Sequence, residues 1–210
     1  MPTDGRLVRG DATRRAVLRR AVDVASVEGL DGLSLGRLAT ELDLSKSGVF
    51  ALFGSKEELQ LAAIRAAHEI FAEHITEPAM TAEPGLPRVW RLCESWLRYS
   101  ENRVFPGGCF FFNTGAEFDA RDGRVHDAVA AAGAGFLGFI GQLVTEAKQL
   151  GHLDSGIEVA QLAFELHALG CAANAGSVLL GGSEPYSMAR KGMLIRLRTA
   201  AVEPGTLPAT

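Results

Sequence analysis

Ser45, Lys46, Ser47 and Gly48 follow one another at the start of a short apolar-periodic segment, with Phe50 and Lys56 just beyond. Two hydroxyls, an ammonium and a glycine at one helix N-terminus suit contact with base edges and phosphates rather than bond making. Lys46 can donate to guanine or to a phosphate, the serines can donate or accept at short range, and Gly48 permits close backbone approach. Lys56 combines its ammonium with free backbone N–H groups at the start of the next segment, an arrangement that holds a phosphate. Ser34 can do the same one element earlier, and Arg37 lies one turn into that element. The plainer alternatives stay open: each serine as a cap, each Lys or Arg as a solvated charge. Ala51 and Leu52 are unusually apolar for groove-facing positions.

Catalytic chemistry finds little support. The five histidines (His68, His74, His126, His152 and His167) are dispersed, with no i, i+4 pair and no cysteine at metal spacing. No nucleophile elbow, phosphate-binding loop or dinucleotide fingerprint occurs. No catalytic residue, metal or cofactor is expected, and an enzyme remains a remote alternative without a recognisable motif.

The elements that must position these residues are short helices. Ser34 sits at an N-cap, and Leu35, Leu38, Ala39 and Leu42 recur at helical spacing. The chain breaks at Asp43-Leu44, and Ser45 then caps a second helix carrying Val49, Phe50, Leu52 and Phe53. Gly54 closes it, and Ser55-Lys56-Glu57-Glu58 opens the next as a capping box. Two short helices so joined form a helix-turn-helix, whose second helix enters the major groove of DNA.

The segment LATELDLSKSGVFALFGSKEEL resembles the N-terminal signature of TetR-family transcriptional regulators, over about Thr13 to Ile64. There an amphipathic first helix precedes the motif, and an aromatic-rich second helix ends in phenylalanine followed by Pro/Gly-Ser-Lys. Two departures stand out: Gly48 where many members have a small hydroxyl residue, and Phe50 where a phosphate-touching tyrosine is common. The resemblance implies a homodimer on a palindromic double-stranded DNA operator, most often a repressor released by a small apolar or amphipathic effector. The alternative is a ligand-independent, architectural DNA binder.

In that family the remaining helices form a second domain that dimerises and encloses a small-molecule site. GCFFFNTGAEFD resembles the glycine-cysteine-apolar-asparagine element of many relatives. Phe110, Phe111 and Phe112 cannot all face one way, and Asn113 and Glu117, four apart, share a helical face. The expected ligand lining is Trp96, Phe110, Phe112, Asn113, Glu117, Phe136, Phe139, His167, Cys171 and Asn174; plain core packing is the competing reading. Gly133, Gly135, Gly138 and Gly141 interrupt one helix interior, which calls for close packing or for room beside Phe136 and Phe139. The small-residue run Ala168, Gly170–Ala173, Ala175 and Gly176 suits the close approach of two long helices, and dimerisation is expected through the last two long helices.

Composition supports an all-α chain, and the resemblance implies an N-terminal three-helix helix-turn-helix DNA-binding domain followed by a larger helical ligand-binding and dimerisation domain. Its net charge of −4 excludes a wholly basic coat, yet residues 1–20 hold six arginines against two aspartates. Positive charge thus concentrates beside the reading motif. Cys93, Cys109 and Cys171 are expected as free thiols in a reducing cytoplasm. No uninterrupted apolar run of membrane-spanning length is seen, so no membrane partner is expected. The boundaries read from sequence are 1–55 for the DNA-binding domain, with 1–10 a flexible arm, 56–202 for the second domain and 203–210 a disordered tail. A fourth helix is expected to stop before Pro78.

Overall fold

Helix periodicity accounts for almost the whole chain. The computed structural model describes residues 5–208, with side chains from Gly10 onward, and contains no strand among the described residues. Its helices are α1 (Gly5–Glu28), α2 (Leu35–Glu41), α3 (Lys46–Phe53), α4 (Lys56–Phe71), α5 (Glu77–Met80), α6 (Leu86–Glu101), α7 (Phe110–Phe118), α8 (Arg124–Gln149), α9 (Val159–Leu180) and α10 (Glu184–Ala200). They divide into two units. One comprises the chain up to Glu69 with Phe105–Ala131, the other Ile70–Val104 with Ala132 onward.

In the first unit, Val17, Ala21, Val24 and Ala25 form the buried stripe of α1, as their spacing predicts, while Ala16 is exposed. Leu30, Leu33, Leu38, Ala39, Val49, Phe53 and Leu59 complete this core. The supposed arm is helical from Gly5 to Gly10, because nothing in GRLVRG interrupts α1; residues 1–4 lie outside the described part. Phe105 and Phe110 are fully buried in this same unit. This unit runs past residue 55 and takes in a returning segment.

The second unit is built on α6, whose Leu92, Cys93, Trp96, Leu97 and Tyr99 are buried, and on the antiparallel pair α9 and α10. Gly170 lies against the Trp96 ring, leaving no room for a side chain, and Gly176 faces Pro185 of α10. Part of the small-residue run thus serves packing inside the unit. Burial pushes the Cys93 thiol up to about 12, so it is an inert core group. None of the three cysteines is joined in a disulfide.

Three expectations change here. The chain does not stop before Pro78: a π-helical turn, Ala72–Thr76, carries α4 into α5 with Pro78 in its first turn. The wider turn absorbs a residue that lacks a backbone donor. Residues 204–206 form a 3-10 turn, and Leu207 is buried, so the tail is ordered as far as residue 208; residues 209–210 lie outside the described part. Helices α8 and α9 are long and apolar enough to cross a membrane by length and composition alone, a test that the core helix of a soluble protein also passes.

Candidate nucleic-acid interface

The reading motif is built from local rules. The Ser34 hydroxyl accepts the Arg37 N–H at 3.4 Å, and the Ser45 hydroxyl accepts the Gly48 N–H at 3.1 Å, so both serines are N-caps. Each keeps its own O–H free to donate outward. Helix α2 ends in a Schellman turn: Leu44 N–H donates to the Ala39 carbonyl and Asp43 N–H to the Thr40 carbonyl. That turn needs a left-handed residue, and Asp43 supplies it with φ of 53°. Gly54, φ 75°, closes α3, and the Ser55 hydroxyl accepts the Glu58 N–H to start α4.

The result is an exposed edge carrying Ser45, Lys46, Ser47, Gly48, Phe50 and Ala51. Lys46 has no ion pair among the described residues. Phe50 is 57 % exposed although apolar. Between α2 and α3 lies an open depression of about 410 Å3 lined by Leu35, Gly36, Lys46, Ser47, Phe50 and Ala51. Phe53 is buried away from this edge, its ring centre 4.7 Å from the Arg14 guanidinium, and Arg14 also donates to the Leu52 carbonyl at 2.8 Å.

Arg37 and Lys56 have partners of their own. Arg37 grips the Glu28 carboxylate with both Nη atoms and donates from Nε to Glu41 at 2.7 Å; Arg20 holds the other Glu41 oxygen at 2.6 Å. Hydrogen bonds from Arg37 hold Glu28 below the usual carboxylate range; those from Arg20 and then Arg37 do the same for Glu41, while Glu28 and then Glu41 raise Arg37. The charge of Arg37 is therefore balanced within the unit. Lys56 donates to the Asp31 carbonyl at 2.7 Å and lies 3.6 Å from its carboxylate, which Arg121 also binds and lowers most. The i, i+4 spacing of Arg37 and Glu41 was the legible signal for this network. Arg6 and Arg9 have side chains outside the described part.

The residues expected to line a ligand site are split between the units. Phe110, Phe112, Asn113 and Glu117 belong to the first, and Trp96, Phe136, Phe139, His167, Cys171 and Asn174 to the second. The first group is engaged within its own unit. Asn113 Nδ2 donates to the Ser26 carbonyl at 2.7 Å and to the Gly107 carbonyl at 3.0 Å. Glu117 caps the turn Leu30–Gly32. Phe110 is fully buried against Phe105 and Phe111. Asn113 and Glu117 therefore hold the end of α1 and the turn that follows it.

The second group is a cluster. The Trp96 ring stacks on His167 at 5.5 Å and meets Phe136 edge-on at 5.0 Å; Phe71 lies 4.8 Å from Phe136 and 5.5 Å from Tyr99. Burial lowers the His167 pKa, which favours the neutral ring. Cys171 Sγ is 3.8 Å from the His167 ring nitrogens. Asn174 accepts from Ser100 at 2.8 Å, and Ser100 also meets the Tyr186 hydroxyl at 2.7 Å. Among the described residues no group of three His, Cys, Asp or Glu is placed to hold a metal ion.

A capped helix-turn-helix presenting a lysine, two hydroxyls and an aromatic edge defines a DNA-binding module joined to an all-helical companion. Residues 17–63 match the family model for bacterial regulatory proteins of the tetR family, and residues 85–193, just over half of the chain, match the tetracyclin repressor-like C-terminal domain. The chain belongs to the TetR family of transcriptional regulators and is a DNA-binding transcription factor, not an enzyme. Among solved structures it is similar to a TetR regulator from Chloroflexus aurantiacus, with 23 % identity and a TM-score of 0.85 over 92 % of this chain and 98 % of that one. A TetR-family regulator from Cytophaga hutchinsonii shares 18 % identity and a TM-score of 0.81 over 93 % and 98 % of the two chains. AibR, solved with isovaleryl coenzyme A and operator DNA, shares 16 % identity and a TM-score of 0.66 over 85 % and 94 %. At these identities the likeness is one of fold. No curated protein matches the chain in sequence.

Proposed function

We propose that the protein is a cytoplasmic repressor that binds a palindromic operator as a homodimer and leaves it when a small apolar or amphipathic molecule binds the second unit. The observation that carries the effector reading is the cluster of Trp96, Phe136 and His167, where aromatic faces lie beside a few polar groups, the usual make-up of a small-molecule site. Phe139, Cys171 and Asn174 flank it on α8 and α9. An acyl chain on a polar carrier is such an amphipathic molecule, and AibR was solved with one, isovaleryl coenzyme A.

The dimer reading rests on an exposed stripe. Phe164, Ala168, Ala172 and Leu179 recur at helical spacing on the outside of α9, and Met188 and Ile195 do so on α10. Met193, Leu194 and Leu197 of α10 are buried within the unit and stabilise it, so they lie off this stripe. An isologous contact through the stripe would bury Phe164 and Leu179 against a second copy.

An effector must favour the DNA-incompetent dimer, since equal affinity for both states shifts nothing. The experiment is selection of operator sequences from a random duplex pool, followed by titration of acyl thioesters and apolar ligands into the complex. Enrichment of a two-fold palindrome, and its release by a ligand whose affinity falls in Trp96→Ala, is the expected result. Ala172→Glu should yield monomers by light scattering. A unit 2 to which no ligand binds would leave the ligand-independent reading standing.

A further inference from the structure

The charged residues that flank the reading helix are already paired, and beside Lys46 and the two serines its exposed edge carries the apolar Phe50 and Ala51. Arg37 and Lys56 are held by Glu28, Glu41 and Asp31, which leaves Lys46 as the outward cation beside Phe50 and Ala51. Phe50 cannot donate to a phosphate, and pressing its ring on phosphate oxygens would desolvate them without a hydrogen bond. In the major groove the one apolar group on a base edge is the thymine methyl. Gly36, facing Lys46 across the depression, and Ala51 keep the space beside the Phe50 ring open.

We propose that Phe50 is a specificity-determining residue that reads thymine methyl groups: the ring and the depression between α2 and α3 receive the C5 methyl of a thymine in each half-site, while Lys46 holds a neighbouring phosphate or guanine. This inference rests on the operator reading above and adds the chemistry of the bases read. It predicts half-sites with a thymine at a fixed position, recognised by shape and apolar contact rather than by a bidentate hydrogen bond.

The test alters the DNA rather than the protein. After selection of an operator, each thymine in the half-site is replaced by uracil, which removes only the methyl. At one position affinity should fall about four-fold per half-site, the ratio that one buried CH2 group commands, and roughly fifteen-fold when both half-sites are changed. In Phe50→Ala the thymine-to-uracil ratio at that position should approach one. In Lys46→Ala both duplexes should weaken together and the ratio persist. Phe50 is exposed, so its replacement should leave the unfolding midpoint unchanged, which separates a lost contact from a lost fold. A selected operator whose uracil forms all bind as tightly as the thymine form, or a ratio that survives Phe50→Ala, would overturn this inference alone. Failure to enrich any sequence would overturn the operator reading and this inference with it.

Discussion

Glu117 caps the start of the turn that leads into the reading motif: its Oε2 accepts the Leu30 N–H at 2.6 Å and its Oε1 the Asp31 N–H at 2.9 Å. A carboxylate at a helical N-terminus satisfies donors that the turn itself cannot, and it does so across 87 residues of sequence. Gly29, with φ of 79°, makes the approach possible, since a side chain there would collide with that carboxylate.

Glu117→Ala should therefore act on the first unit directly. Losing a bidentate acceptor from two backbone donors costs about 1–3 kcal/mol in unfolding free energy. Asn113→Ala, which leaves the Ser26 and Gly107 carbonyls without that donor, should cost about 1 kcal/mol. Both variants should weaken operator binding in the absence of any effector. Urea unfolding and DNA titration check this; variants with native stability and operator affinity would show that the cap does not position the motif.

These two residues also show where sequence stopped short. The pairing of Asn113 and Glu117 on one face of a helix was legible from their spacing, and so were the caps Ser34, Ser45 and Ser55 and the break at Asp43, because each is a local signal of a few residues. What that face meets is the far end of α1, a long-range fact that no spacing encodes. The glycines of α8 are a second instance. Close packing was the economical reason for Gly133, Gly135, Gly138 and Gly141, yet a Cβ at any of them would meet nothing within 4 Å. The structure gives no packing reason for them.

Gly138→Ala should accordingly stabilise the chain, by about 0.5–1 kcal/mol, because α8 gains helix propensity without a clash. The denaturant midpoint reports it. A loss of stability, or of assembly, would mean that the exposed glycine face is covered in the working protein.

Lys46 and Arg37 should separate in salt titrations. Lys46→Ala removes an unbalanced cation from the reading edge, so the slope of log K against log salt should fall by about one unit. Arg37→Ala removes a charge that Glu28 and Glu41 already balance, and its main effect should be a lower unfolding midpoint with little change in slope. Lys56→Ala, tied to Asp31, should lie between them. Equal slopes for all three would show that the network opens on DNA.

Asp43 holds a left-handed backbone in the Schellman turn without being glycine. Asp43→Gly relieves that strain but gives the unfolded chain more freedom, and the balance should favour the folded state by about 0.5–1 kcal/mol. Because the turn sets the angle of α3, operator affinity should be unchanged or slightly higher. A destabilised variant would mean that the Asp43 side chain contributes more than its backbone costs.

His167 gives the second unit a pH dependence whose sign follows from its burial. The folded protein holds the imidazole pKa below its ordinary value of 6.5, so the unfolded chain binds the proton more readily. The stability contributed by the neutral ring is present above about pH 6.5 and is lost as the pH falls from there toward the lowered folded value. The stack on Trp96 and the contact with Phe136 place that neutral ring among aromatics, where an imidazolium would lose solvation without a carboxylate to replace it. Comparing urea midpoints at pH 7.5 and 5.5, the wild type should lose more stability than His167→Phe, which cannot take up the proton. The same comparison extends to function: if effectors bind against the Trp96 face, their affinity in the wild type should drop over that interval and that of His167→Phe should stay level. Parallel pH profiles for the two proteins would remove His167 as the titrating group and leave the acid sensitivity to the other histidines.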